Sequence, residues 1–275
     1  MERTSWDQVR ASGLRVPEDR PLDELTVELT TMLGSIDPVR RDDTAFLVLA
    51  TWISRGVYDD LLAGLGDGVA TGLDVGLGES GTDSVFRRSF SALVMAECLR
   101  RNNKLDLLPP DRVYAWGDRL AGWLLAEQDL RGIVPGKGWA HAVAHGADAL
   151  AALAGTPGIR APELTVLLDV IADRVLAPTQ QALVEGELDR LASATLEILR
   201  RDLVPLTVAE PWVARLAVQA SAFEPGVPAF HAQAFLRSVN LQLTLANPRP
   251  AIRADLLLGL NEALRTTNAE YLGPR

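Results

Sequence analysis

The sequence predicts an all-α fold. Three observations carry the prediction: apolar residues recur at helical spacing from end to end, period-two alternation rich in β-branched residues never persists, and proline or glycine punctuates almost every gap. Hydrophobic residues make up 48% of the 275 positions, enough to bury an ample core.

The elements follow in order. A helix over 22–34 precedes one over 38–54, where Asp37 is placed to cap and Pro38 suits a first turn that has no use for its missing N–H. A short helix over 57–65 leads into Gly66–Gly81. Glycine recurs too often there for an uninterrupted helix, so the stretch reads as a partly helical, flexible connector. It is not a phosphate-binding loop, because no strand precedes it and no Gly-Lys-Ser/Thr follows. Asp83 is placed to cap a helix over 84–102, in which Cys98 sits in an apolar run and reads as core. Further helices are expected over 111–127, 138–154, 162–176, 187–201, 208–222, 228–246 and 250–266, with Pro162, Pro211, Pro228 and Pro250 near starts. No boundary is strong enough to divide the chain, so 1–275 reads as a single all-helical domain.

Two of these segments look alike. Asp37-Pro-Val-Arg-Arg-Asp-Asp-Thr-Ala-Phe-Leu-Val-Leu-Ala50 aligns, 46 residues on, with Asp83-Ser-Val-Phe-Arg-Arg-Ser-Phe-Ser-Ala-Leu-Val-Met-Ala96. A period near 46 falls in the range of HEAT and armadillo repeats, whose helix pairs stack to bury faces no pair can bury alone. The expected architecture is therefore a HEAT/armadillo-like helical solenoid with an inner, concave row of helices.

Charge narrows the partners. With 27 basic and 36 acidic side chains the net charge is −9, which repels phosphate backbones and anionic headgroups, so neither nucleic acid nor a membrane surface is expected. Cys98 stands alone and cannot form an internal disulfide, the first ten residues lack the order of a secretory signal, and the apolar run Ala45–Ile53 is far short of a bilayer span. A soluble, cytoplasmic protein is expected. Oligomeric state leaves no mark in the sequence.

The chemistry gathers in Lys137-Gly-Trp-Ala-His-Ala-Val-Ala-His-Gly-Ala-Asp148, which holds two of the three histidines. Read as one helix, the segment puts Lys137, His141, His145 and Asp148 on one face within roughly 60°. Trp139, Val143, Gly146 and Leu150 fall opposite, and alanines line both edges, so neighbours are expected to press on three sides and leave the polar face to the concave surface. A histidine general base oriented by Asp148 is one use of such a face. Anion or peptide binding is another, with Arg131, Lys137, Asp129, Trp139 and Arg88 as further contacts. A divalent metal is a third; His141 and His145 would be its ligands, completed from elsewhere, because three ligands on one helix spread over about 10 Å. Zincin chemistry is excluded by Ala142, which stands where the glutamate would be.

Asp42 and Asp43 read mainly as structural, since they suit the macrodipole of their helix start; Arg87 and Arg88 occupy the corresponding turn of the next unit and are placed to line the same inner surface; and His231 reads as a packed or capping histidine. Trp52, Trp116, Trp123 and Trp139 are spaced as core anchors. Ser89 and Ser91 lie on another helix, so no nucleophile accompanies the motif.

The string Asp129-Leu-Arg-Gly-Ile-Val-Pro-Gly-Lys-Gly-Trp-Ala-His-Ala-Val-Ala-His-Gly-Ala-Asp148, with Arg88-Ser-Phe-Ser-Ala-Leu93 upstream, resembles the bacterial domain-of-unknown-function 2785 family over roughly residues 30 to 200. The resemblance implies a helical protein and singles out Lys137, Trp139, His141, His145 and Asp148. It supplies no reaction, cofactor or partner.

Overall fold

A computed structural model describes residues 4–221 and 226–272. It is mostly helical, as expected, with one two-stranded hairpin among the described residues. The chain gathers into two compact units, 1–149 and 150–275.

In the first unit, α1 (Trp6–Ala11) precedes α2 (Leu22–Met32), and a continuous helical run then covers 38–54. That run is α3 (Pro38–Arg40), a π-helical turn (Arg41–Phe46) and α4 (Leu47–Ser54). Asp37 caps it through Val39 N–H at 2.9 Å. After α5 (Leu62–Ala70) and a 3-10 turn (Thr71–Asp74) come α6 (Ser84–Leu105) and α7 (Pro110–Ala126). Helix α6 lies against α4 and α5, and α5 against α7. Leu25, Leu29, Leu49, Trp52, Phe86, Leu99 and Trp116 fill the core between them. Cys98 is buried there, and burial pushes its thiol up out of the reactive range.

Two expectations need correction here. The short helix expected over 57–65 forms instead as α5 over Leu62–Ala70, running on into the stretch expected to be a partly helical, flexible connector. Glycine is used there for closeness: a Cβ on Gly66 would lie 2.0 Å from Cζ2 of Trp116, so only glycine lets α5 meet the indole of α7. The two aligned segments also differ in detail. The first carries the π turn and a working Asp37 cap, whereas α6 is regular and Asp83 makes no cap hydrogen bond.

Helix α8 (Ala142–Ala154) carries the boundary between the units. The second unit continues with α9 (Ala161–Leu176), α10 (Glu187–Leu199), α11 (Leu206–Ala220), α12 (Val227–Leu245), α13 (Arg253–Thr267) and the short α14 (Ala269–Leu272). Within it α9 packs on α10, α11 and α12, α12 on α10 and α11, and α13 on α11 and α12. His231 is buried at the start of α12, where Nε2 accepts the Leu183 N–H at 2.8 Å, so it is the packed histidine the sequence implies. No described helix is long and apolar enough to cross a membrane.

Candidate functional site

The motif does not form one helix. Pro135 has no N–H to give a helix, and Val134-Pro135-Gly136-Lys137 makes a turn closed by Lys137 N–H on the Val134 carbonyl at 2.9 Å. Gly136 takes φ +73° at the turn position that requires a left-handed residue. Strand β1 (Ile133–Val134) then pairs antiparallel with β2 (Gly138–Trp139), and the pairing runs on through Ala140 N–H to Gly132 O and His141 N–H to Arg131 O.

Helix α8 therefore starts later than expected, at Ala142. Of the four polar residues assigned to one helical face, only His145 and Asp148 lie in the helix. Lys137 sits in the hairpin turn, and His141 is the residue from which α8 springs, its carbonyl accepting the His145 N–H at 2.9 Å. Trp139 is corrected as well, because in β2 it is 43% exposed instead of packed beneath the helix. The alanine edges behave as expected: Ala142, Ala144, Ala147 and Ala149 are buried. Gly146 brings α8 against α7, where a Cβ would meet Leu124 Cδ1 at 2.7 Å.

His145 is held by a residue that sequence spacing sets aside. Ser89 of α6, fully buried, places Oγ 2.7 Å from His145 Nδ1 and donates its proton to the Ala140 carbonyl. A hydroxyl has one proton and a carbonyl can only accept, so the serine oxygen receives the hydrogen bond from Nδ1–H. That tautomer leaves Nε2 as the basic nitrogen. Phe90 fixes the ring plane edge-on, with centroids 5.0 Å apart. Asp148 stands one turn along α8. The group at His145 Nδ1 is Ser89.

His141 is held differently. Its backbone lies at φ +49°, which costs a non-glycine residue about 1 kcal/mol or more. Its ring stacks on Trp139 at 4.2 Å between centroids, 25° from parallel, and stands 6.2 Å from the His145 ring.

The cations expected to meet an anion are engaged with carboxylates. Arg88 and Glu127, both fully buried, form a bidentate pair at 2.6 and 2.8 Å, and the guanidinium also ties down Val75 O, Gly76 O and Ser84 Oγ. Arg131 forks onto Asp129 at 2.6 Å and donates to Thr82 O, while Asp129 accepts Gly81 N–H at 2.9 Å. Asp129 holds the Arg131 guanidinium above its ordinary range. Lys137 Nζ reaches both oxygens of Asp83 at 2.7 and 2.8 Å. That clasp explains why Asp83 does not cap α6. Arg41, buried in the π turn over the faces of Phe86 and Phe90, donates to Lys137 O at 2.8 Å. Together these pairs staple the 75–84 loop and the hairpin to the ends of α6 and α7. Asp42 is turned to Arg41 and is desolvated enough to lift its carboxyl, and neither Asp42 nor Arg41 joins the histidines.

Across residues 73–243 the sequence matches a family model described as a protein of unknown function, DUF2785. No curated protein and no solved structure matches. The match spans more than half of the chain and takes in the Ser89 helix, the stapled loop, the hairpin and α8, so this chain belongs to the DUF2785 family.

Proposed function

We propose that the protein is a cytoplasmic helical-repeat protein that binds a small polar ligand or a peptide segment through His141 and His145. Trp139 serves as a stacking surface and Asp148 as a further polar contact. The observation that carries this reading is the Ala140–Ser89–His145 relay, which fixes one tautomer and makes Nε2 an acceptor. His141 adds to it, since a strained backbone beneath an imidazole stacked on a half-exposed indole is not what packing alone asks for. Because Arg88, Arg131 and Lys137 each already meet a carboxylate, the ligand at the histidines is read as polar and not strongly anionic. The repeat reading draws support from packing order: in the second unit α9, α10 and α11 each lie against both the next helix but one and a sequence neighbour, as stacked helix pairs do.

Saturation-transfer NMR against a panel of neutral sugars, amino acids and short peptides tests the binding reading. Ligands found with the wild type should be lost in His141→Ala and His145→Gln; a ligand set unchanged by both substitutions would refute it.

The same relay favours a second reading, in which His145 Nε2 takes a proton as general base of a hydrolase. A pH–rate profile on simple ester and amide substrates separates the two, since only the enzyme shows turnover that His145→Gln removes. A divalent metal on His141 and His145 is the narrow form of that idea. Two imidazoles on one tetrahedral ion place their centroids about 5 Å apart. The pair, at 6.2 Å, would have to close.

A further inference from the structure

Arg87 and Arg88 are neighbours in α6, yet the two arginines have opposite surroundings. Arg88 points into the core onto Glu127, whereas Arg87 lines a cleft of about 600 Å³ with Thr31, Ser35, Arg40, Val75 and Ser84. Two glycines clear the path of its side chain: a Cβ on Gly34 would lie 3.3 Å from Arg87 Cβ, and one on Gly72 would lie 2.8 Å from Arg87 Nε. Within the first unit Arg10, Arg20, Arg41, Arg88, Arg101 and Arg131 each meet a carboxylate. Among the described residues of that unit Arg87 and Arg40 meet none, as Arg15 and Arg55 elsewhere in it meet none, in a chain with 36 acidic side chains to 27 basic ones. Burial alone acts on the Arg87 guanidinium, pulling it below its ordinary range with no opposing carboxylate. Asp83 also lines the cleft, but both of its oxygens are taken by Lys137.

We propose that this cleft is a binding site for a phosphate-type oxyanion carried on a small molecule, with Arg87 and Arg40 as its charged contacts. Guanidinium forks match the oxygens of such a group. The Ser35 hydroxyl lines the same cleft as a donor, whereas Thr31 and Ser84 give their protons to Val27 O and Glu79, and Val75 with Met32 gives an apolar wall for the organic part. A volume of about 600 Å³ suits a small organic phosphate. The site is separate from the histidine site and does not depend on it.

Calorimetric titration of the full chain at low ionic strength, with inorganic phosphate in one arm and phenyl phosphate in the other, tests the assignment. Both are expected to bind the wild type, the ester more tightly if the apolar wall is used. Arg87→Gln should weaken binding about tenfold or more, the scale of one charge-assisted pair. Arg87→Lys should fall between, and Arg215→Gln, at an exposed arginine of the second unit, should bind like the wild type. Arg40→Gln, at an exposed position where folding is not at stake, should also weaken binding and decides the matter if Arg87→Gln does not fold. The inference is overturned if neither probe binds up to about 10 mM, or if the arginine variants titrate as the wild type does.

Discussion

Glu127 shows how one residue sets the character of its surroundings. It is fully buried, and its carboxylate meets Arg88 Nε and Nη2 while also accepting Asp129 N–H at 2.9 Å. Each acceptor oxygen is thereby engaged, and the arginine beyond it anchors two carbonyls of the 75–84 loop. Breaking one side of such a pair is costlier than the pair itself is worth, because the remaining charge stays out of water. Glu127→Gln is therefore expected to lower the unfolding free energy by about 3–5 kcal/mol. The more exposed pair Arg100–Glu97, treated the same way with Glu97→Gln, should lose no more than about 1 kcal/mol. Urea denaturation of the two variants measures both. Equal small losses would mean that water reaches Arg88. Ser89 makes the complementary point: a small hydroxyl with no exposure is no nucleophile, yet by holding Nδ1 it decides which nitrogen of His145 is basic.

Elements were legible where periodicity and punctuation agreed, and illegible where one mimicked the other. Helices α2, α6, α9 and α12, with the run 38–54, lie within a few residues of expectation because their apolar stripes and their proline or aspartate starts point the same way. The hairpin does not, since Lys137, His141 and His145 recur at helical spacing although the chain turns between them. The signal that could have found it was Pro135-Gly136 between Ile133-Val134 and Trp139. The site residues themselves were visible as a local pattern. Their partners were not, because Lys137 and Asp83 lie 54 apart and His145 and Ser89 lie 56 apart, and spacing says nothing at that range. Glycine misled in the same way at Gly66, where abundance suggested flexibility and the structure uses closeness. Gly66→Ala should cost about 1–3 kcal/mol by overpacking Trp116, while Gly68→Ala in the same helix, with open space at its Cβ, should be neutral or stabilising. Thermal melts of the pair check this, and a harmless Gly66→Ala would show that α5 and α7 have room to separate.

At the scale of the whole chain the boundary between units falls inside α8, a helix with none of the proline, glycine or polar bias that marks a linker, so composition offered no sign of it. The molecule's response to pH follows from two opposed effects. A net charge of −9 means that mild acidification relieves self-repulsion, a diffuse gain that salt screens. Against it stands His231. Its Nε2 accepts the Leu183 N–H, so protonation would set a donor against a donor, and burial with Arg174 nearby pulls its pKa down to about 4. The unfolded chain takes up that proton near pH 6.5 and the folded one only near pH 4. Between those values the unfolded state binds more protons, so stability is full above the window and falls as pH falls through it. The loss is about 2 kcal/mol by pH 5 and about 3 by pH 4. Carboxylates held low by partners, such as Asp59 beside Arg101, act only below their ordinary range, while the lifted Asp42 carboxyl takes up its proton more readily in the folded chain and so works against the decline. Urea denaturation at about 0.15 M salt, close to physiological ionic strength, from pH 7 to pH 4 should show the decline in the wild type, and His231→Gln, which accepts a hydrogen bond without titrating, should remove most of it. The same slope in the variant would place the responsible proton on another group.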